Sequence, residues 1–214
     1  MEEGNKKIEH RKPYDMYELT DDGAPDNPFQ LFDSWINHAM MLDADEPHAM
    51  TLSTATGTQV SSRIVLLRSY GPEGFSFYTN YQSAKAKALE VNPIASLNFF
   101  WPKVQQQIRL EGKVNKLSAS ISEEYFASRP RESQVGAWAS SQSEEISSRA
   151  ALDEQFAAIE KKYENQTIPC PPHWGGYVLQ PDYIEFWQGR LGRLHDRIAY
   201  KLVNNSWRKN RLCP

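Results

Sequence analysis

Downstream of Asn27-Pro28, apolar residues recur at Phe32, Trp35, Ile36, Ala39 and Met40. That spacing puts one apolar stripe on an α-helix, and Pro28 suits a first helical position whose N–H has no partner anyway. From Ala49 to Trp101 the pattern takes the two-residue period of strands. Ala49–Ala55 and Val60–Tyr70 flank Thr56-Gly57-Thr58-Gln59 as a hairpin. Inside the second strand, Ile64-Val65-Leu66-Leu67 reads as a run buried on both faces and bracketed by Arg63 and Arg68. Gly71-Pro72-Glu73-Gly74 turns the chain into a strand over Phe75–Thr79. A short helix follows from Ser83 to about Val91, and Asn92-Pro93 ends it. Ile94–Trp101 and Gln105–Leu117 make a further strand pair, with Gln107, Arg109 and Glu111 on the face opposite Ile108 and Leu110.

The chain then turns helical. Ser118 caps a helix to about Ser128, and Pro130 opens another through Trp138. A longer amphipathic helix spans about Ser147–Glu164, with Leu152, Phe156, Ile159 and Tyr163 as its stripe. After the Pro-rich Ile168–His173, strands are expected over Gly175–Gln180 and Tyr183–Trp187. A closing hairpin joins Ile198–Val203 to Trp207–Leu212 through Asn204-Asn205-Ser206. About seven strands with helices inserted between antiparallel pairs predict an α+β barrel, not a doubly wound sheet. Residues 1–27 are polar and rich in Asp, Glu, Lys and Pro, and read as an arm with little structure of its own. That leaves 28–214 as one domain.

Composition narrows the class of function. A chain of 214 residues, 40% of them hydrophobic, can bury one core of ordinary size. A net charge of -3 and a pI near 6.0 argue against a nucleic-acid protein. No apolar run approaches the roughly 18 residues of a membrane span, and the charged stretch Met1–His10 lacks the apolar centre of a signal peptide. Cys170 and Cys213 make no disulfide framework, so a reducing cytoplasm is the expected location. There is no G-x-G-x-x-G after a strand and no P-loop. The five scattered His residues have no metal-ligand spacing, so no metal is expected.

What remains is a set of cations suited to anions. In extended chain, Arg193, His195 and Arg197 project to one face as cation, imidazole, cation. Two readings stay open, a strand rim with solvated charges or a ligand site, and the Gly-rich bend before the triplet favours the ligand. Lys85 and Lys87 near a helix N-terminus oppose its dipole unless an anion sits there. Tyr125, Arg129 and Ser133 recur every four residues across a helix junction, so a phenol, a guanidinium and a hydroxyl can meet one phosphate. Arg11-Lys12-Pro13-Tyr14 is either solvated tail or a patch that closes over a site. Two anion clusters with aromatic walls point to two phosphorylated flat molecules, a cofactor and a substrate.

An ordered set of motifs then resembles a known family. Arg63-Ile64-Val65-Leu66-Leu67, Phe77-Tyr78-Thr79-Asn80, Tyr125-Phe126-Ala127-Ser128-Arg129-Pro130, Ser133-Gln134-Val135-Gly136-Ala137, Trp174-Gly175-Gly176, Glu185-Phe186-Trp187-Gln188-Gly189, Arg193-Leu194-His195-Asp196-Arg197 and the terminal Arg211-Leu212-Cys213-Pro214 are similar to pyridoxine (pyridoxamine) 5'-phosphate oxidase. The resemblance runs from Arg11 onward. It implies an FMN-binding split β-barrel, antiparallel and Greek-key-like with peripheral helices, as a homodimer with FMN at the interface. The implied reaction oxidises pyridoxine or pyridoxamine 5'-phosphate to pyridoxal 5'-phosphate, with O2 reduced to hydrogen peroxide. FMN contacts are implied for Arg63, Ile64, Val65, Leu66, Tyr78, Thr79, Lys85, Gln107, Gln142, Ser143, Trp187 and Arg197. Substrate contacts are implied for Arg11, Tyr14, Arg68, Tyr125, Arg129, Ser133, Arg193, Leu194 and His195, with Arg193 and His195 catalytic. The chain departs from the family twice, with Arg68 where Lys is usual and Ala84 where Arg is usual. Two alternatives are a flavin reductase with another substrate on the same barrel, or a non-catalytic pyridoxal phosphate carrier.

Overall fold

Helix α1 (Pro28–Leu42) lays its stripe into the core of a computed structural model that describes residues 12–42 and 46–214. Phe32 is fully buried, with the rings of Tyr70, Phe75 and Phe99 at 4.9, 4.8 and 5.4 Å, and Trp35 meets Phe186 at 5.3 Å. Burying one such ring stabilises the fold by about 2–3 kcal/mol. The stripe ends one residue earlier than expected. Met40 is exposed along with Met41 and Leu42, because the last helical turn runs beyond the packed part.

Among the described residues nine strands form one antiparallel sheet: β1 (Ala49–Thr56), β2 (Gln59–Leu66), β3 (Ser69–Gly71), β4 (Gly74–Asn80), β5 (Ile94–Trp101), β6 (Gln106–Lys116), β7 (Trp174–Gln188), β8 (Asp196–Val203) and β9 (Ser206–Arg211). Their order is β2-β1-β5-β6-β7-β4-β3, with the β8–β9 hairpin added on β7. The two ends of this order, β2 and β3, are joined by only Leu67 and Arg68. Two residues span at most about 7 Å, so the sheet must curl until its ends meet. It does not close there. Leu67 N–H still donates to His48 O on the β1 side at 2.9 Å, whereas Arg68 N–H donates to Ser76 O on β4 at 2.9 Å. The result is the expected split antiparallel barrel.

That seam corrects two expectations. The strand predicted over Val60–Tyr70 is broken into β2 and β3, because its partner changes from β1 to β4 at Leu67-Arg68. The run from Ile64 to Leu67 is not buried on both faces either, since β2 is an end strand and Ile64 is 63% exposed. A third correction concerns β7, which is one 15-residue strand where two were expected. Its first half pairs with β4 and its second with β8, while β6 runs along the other edge. Pro181 is accommodated by a shift of register at Glu111/Gly112. A Cβ on Gly112 would lie 2.1 Å from Gln180 O, so only glycine lets the strands approach here.

The helices α2 (Ala84–Val91), α3 (Ala119–Ser128), α4 (Arg131–Ala139) and α5 (Arg149–Lys162) decorate this barrel. Ser118 and Ser148 cap α3 and α5 through their hydroxyls, which accept from Ile121 N and Ala151 N. A second, smaller core gathers Phe126, Val135, Ile168 and Trp174, against which Tyr78, Tyr125, Trp138, Phe156 and Tyr163 pack. The segment 12–27 has no helix or strand, yet Leu19 and Ala24 are buried in the main core. It is pinned by Arg211, which meets Asp21 at 3.0 Å and Leu19 O at 2.8 Å, and by Arg190, which meets Glu18 at 2.7 Å. The reading of this stretch as an arm without structure is therefore amended. It lacks internal hydrogen-bonded periodicity but docks through side chains that belong to β9 and to the loop between β7 and β8. No helix among the described residues is long and apolar enough to cross a membrane.

Candidate active site

The seam of the barrel opens into a cavity of about 350 Å³ whose walls come from β2, β4, α3, α4 and the start of β7. Of the expected site residues it gathers Ile64, Val65, Leu66, Arg68, Tyr78, Thr79, Lys85, Tyr125, Arg129 and Gln142. Sequence reasoning missed Trp174, Asn80 and Ser140, which also line it. The Trp-Gly-Gly start of β7 was the only signal for Trp174, since its ring enters the site from a strand end with no periodic neighbour.

One side of the cavity is an aromatic slab. Tyr78 stacks on Tyr125 at 4.0 Å and on Trp174 at 5.5 Å. Arg129 lies 4.6 Å from the Trp174 ring centre and Arg68 lies 5.7 Å from that of Tyr125. Two guanidiniums thus flank one slab. Nη1 of Arg129 is buried and finds no acceptor among the described residues. A buried donor left so costs about 1–3 kcal/mol, which an anion would recover. Burial lowers the Arg129 pKa, with the nearby Arg68 charge also disfavouring the cation. Ser133 stands one turn into α4, half-buried, and is not among the lining side chains.

The other side is a polar corner. Lys85 Nζ donates to Thr79 Oγ1 at 3.0 Å, Gln142 Oε1 at 3.0 Å and Ser83 Oγ at 3.3 Å, while Thr79 also donates to Gln142 at 2.9 Å. Arg63 donates to Leu52 O and Thr54 Oγ1. Every one of these partners is neutral, and no carboxylate among the described residues pairs with either cation. Burial, and then the charge of Arg63, push the Lys85 pKa down to about 8. Two desolvated cations without a counter-ion fit a phosphate. The first turn of α2 starts here too, with backbone N–H groups that have no intrahelical acceptor. Ala84 is exposed at that turn, and Lys87 is engaged with Glu144 at 2.7 Å. Ser143 is exposed with a left-handed φ of 74° and does not line the cavity.

The remaining expected residues lie elsewhere on the chain. A separate cavity of about 590 Å³ is lined by Lys12, Pro13, Tyr14, Arg190, Leu191, Gly192, Arg193 and His195, and shares no residue with the first. Trp187 stands 4.6 Å from His195 and 5.6 Å from Tyr14, ring centre to ring centre. Gln107 is paired with Trp187 across β6 and β7. Arg11 lies outside the described residues. The expectation that Arg193, His195 and Arg197 share one strand face is corrected. Leu191–Arg193 is a 3-10 turn with Gly192 and Arg193 both left-handed, at φ 65° and 64°, and β8 starts only at Asp196. A non-glycine residue held there stores about 1–3 kcal/mol of strain. Arg193 and Leu194 are exposed, the latter at 73%.

His195 Nδ1 accepts the Arg190 backbone N–H at 3.1 Å. A backbone N–H can only donate, so the neutral ring carries its proton on Nε2. Burial and the Arg193 charge lower the His195 pKa, which keeps that form at neutral pH. Arg197 is turned to Glu185, with Nε to Oε1 at 2.7 Å, and to Cys213 O at 2.7 Å. Burial alone would raise the Glu185 carboxyl, but hydrogen bonds from Arg197 and Tyr183 and the charge of Arg109 bring it below its usual value.

Comparison with known proteins gives the family and the fold. Residues 38–163 match the family model described as pyridoxamine 5'-phosphate oxidase, and residues 174–214 match the pyridoxine 5'-phosphate oxidase C-terminal dimerisation region. A pyridoxine/pyridoxamine 5'-phosphate oxidase from Actinobacillus pleuropneumoniae serotype 5b (strain L20) is 48% identical over 204 residues, covering 95% of this chain and 97% of the relative. One from Neisseria gonorrhoeae is 46% identical over 205 residues, with the same shares covered. Among solved structures, PhzG from Burkholderia lata 383 in complex with tetrahydrophenazine-1-carboxylic acid has a TM-score of 0.86 at 31% identity, covering 92% of this chain and 98% of that one. A pyridoxamine 5'-phosphate oxidase-related, FMN-binding protein from Nostoc punctiforme PCC 73102 shares the fold, with a TM-score of 0.70 at 16% identity, covering 88% and 98%. The chain belongs to the pyridoxine/pyridoxamine 5'-phosphate oxidase family and is an oxidoreductase.

Proposed function

We propose that this protein oxidises pyridoxine 5'-phosphate or pyridoxamine 5'-phosphate to pyridoxal 5'-phosphate in the cytoplasm, with FMN as cofactor and O2 as electron acceptor. The observation that carries the reading is the buried Arg129 Nη1 without an acceptor, beside an aromatic slab and a second guanidinium, in the cavity that also holds the desolvated Lys85. Arg63, Lys85, Thr79 and Gln142 hold the FMN phosphate, and Ile64, Val65, Leu66 and Tyr78 line the flavin. Arg68, Tyr125, Arg129 and Ser133 take the substrate phosphate. FMN held by these residues would supply the hydride acceptor and the path by which two electrons, with two protons, reduce O2 to hydrogen peroxide.

The chain's own part is positioning and charge. His195, protonated on Nε2, donates to the phenolic oxygen of the pyridine ring, and Arg193 stabilises negative charge on the ring or alkoxide. These two residues, with Tyr14, Leu194, Trp187, Gln107 and Arg197, belong to the second cluster. We assign them to the same site through a homodimer, in which a partner copy carries its second cluster to the mouth of the first, with Ser143 at its rim. Exposed Ile64, Phe100, Leu191 and Leu194 supply apolar surface for that association.

The structural relative that holds a tetrahydrophenazine carboxylic acid raises a second substrate class. Two guanidiniums, a phenol and a hydroxyl suit a dianionic phosphate better than a single carboxylate, which favours the vitamin phosphate. An aerobic assay of FMN-loaded protein with pyridoxine 5'-phosphate, following product absorbance and peroxide together, tests the reading. Equal amounts of both are expected. Bound flavin without turnover would point to the reductase alternative. Binding of pyridoxal 5'-phosphate by a protein that takes up no flavin would favour the carrier.

A further inference from the structure

Gln105 is one residue outside β6, is 2% exposed, and has a left-handed φ of 56°. A buried glutamine in strained backbone invites a question about what holds it. Its amide is held by one short stretch of chain. Oε1 accepts Asp15 N–H at 2.9 Å and Met16 N–H at 3.3 Å, and Nε2 donates to Pro13 O at 3.1 Å. Backbone N–H groups only donate and carbonyls only accept, so the orientation of this amide is fixed by its partners. The backbone of Gln105 faces the other way. Its carbonyl accepts Gly189 N–H at 2.8 Å and Gln188 Nε2 at 3.1 Å, at the end of β7.

Gln105 therefore bridges two stretches nearly ninety positions from it in opposite directions, and the residue caught between them is Tyr14. The Tyr14 ring stands edge-on to Trp187 at 86° and to His195 at 81°. It fits because Gly189 has no side chain. A Cβ there would lie 2.7 Å from Tyr14 Cδ1 and 2.8 Å from Cβ and Cγ. The segment 13–16 has no helix or strand of its own, so Gln105 is its principal polar anchor on the barrel.

We infer that Gln105 is a positioning residue for the reaction, a latch that fixes Tyr14 as one wall of the cavity containing Arg193 and His195. Gln105 touches neither substrate nor cofactor in this assignment. It acts through Tyr14, and so on substrate retention more than on the chemical step. The kinetic part rests on the proposed oxidase activity; the latch itself does not.

The test is Gln105→Gly, which removes the amide without adding backbone strain, since glycine adopts a φ of 56° freely. Hydrogen exchange of the FMN-loaded protein reads the latch directly. The Asp15 and Met16 amides should exchange on the order of tenfold faster or more in the variant, while strand amides of β6 and β7 stay protected. Steady-state kinetics with pyridoxine 5'-phosphate read the role. KM should rise on the order of tenfold with kcat within about twofold. Tyr14→Ala should raise KM similarly, and the double variant should be no worse than Tyr14→Ala alone, because both changes remove the same wall. Unchanged exchange at Asp15 and Met16 would overturn the latch. Additive effects on KM, or a fall in kcat alone, would overturn its action through Tyr14. Absence of turnover in the unmutated protein would instead sink the oxidase reading, and the exchange result would stand apart from it.

Discussion

Raising the pH from 7 to 9 should weaken FMN binding about tenfold, and Lys85 is the reason. In the protein without ligand its ammonium is partly buried beside Arg63 among neutral partners, and its pKa falls to about 8. The sign follows from linkage. A phosphate against the ammonium favours the charged form and moves the pKa back toward 10.5, so binding takes up a proton between those two values. At pH 7 about nine-tenths of the free protein carries the charge, and at pH 9 about one-tenth does. While the complex keeps its charge, the dissociation constant rises by that ratio, and the loss levels off only above the pKa of the complex. Flavin fluorescence quenching, titrated at half-unit steps with salt held constant, gives the profile. Two variants separate Lys85 from other titrations. Lys85→Arg stays charged throughout and should flatten the profile. Lys85→Met lacks the charge at every pH, so it should bind at pH 7 more weakly than the unmutated protein does at pH 9, with little further loss as the pH rises. A dissociation constant that is the same at pH 7 and 9, or a slope that survives in both variants, would refute the account.

Ala84→Arg should tighten FMN by a factor on the order of ten to a hundred, because one charge-assisted contact at an exposed first helical turn is worth about 1–3 kcal/mol. Lys87 cannot already serve there while it is engaged with Glu144; an unchanged dissociation constant would show that Arg63 compensates. Arg193→Ala should lower kcat/KM by about two to three orders of magnitude while FMN stays bound, and a near-normal rate would remove Arg193 from the mechanism. Phe32→Ala should cost about 3–5 kcal/mol in denaturant unfolding and lower the thermal midpoint by roughly 10 °C, since three rings lie against it. A loss below 1 kcal/mol would mean that the packing of α1 into the core contributes little to stability.

The elements were legible wherever one physical rule acted alone. The α1 stripe, the Ser118 cap, the two hairpins and the alternation of Gln107, Ile108, Arg109 and Leu110 are local consequences of side-chain period and turn chemistry, and the structure has them where the sequence put them, apart from Met40 at the end of the stripe. Motif order also carried the family. The sequence could not say where a strand changes partners. Val60 to Tyr70 has one apolar period, and only the curling of the sheet decides that Leu67 bonds toward β1 and Arg68 toward β4. Nor could it say that Arg193 is in a left-handed turn while Arg197 is drawn to Glu185. A period-two reading assumes extended chain, and Gly192 breaks it. The polar stretch 12–27 looked unstructured because its anchors, Gln105, Arg190 and Arg211, are far away in the chain. By itself the sequence determined the types of element and the kinds of side chain available for anions. Tertiary structure alone decided which cations lose their water and their counter-ions together, because burial and mutual distance depend on how distant segments are folded against each other.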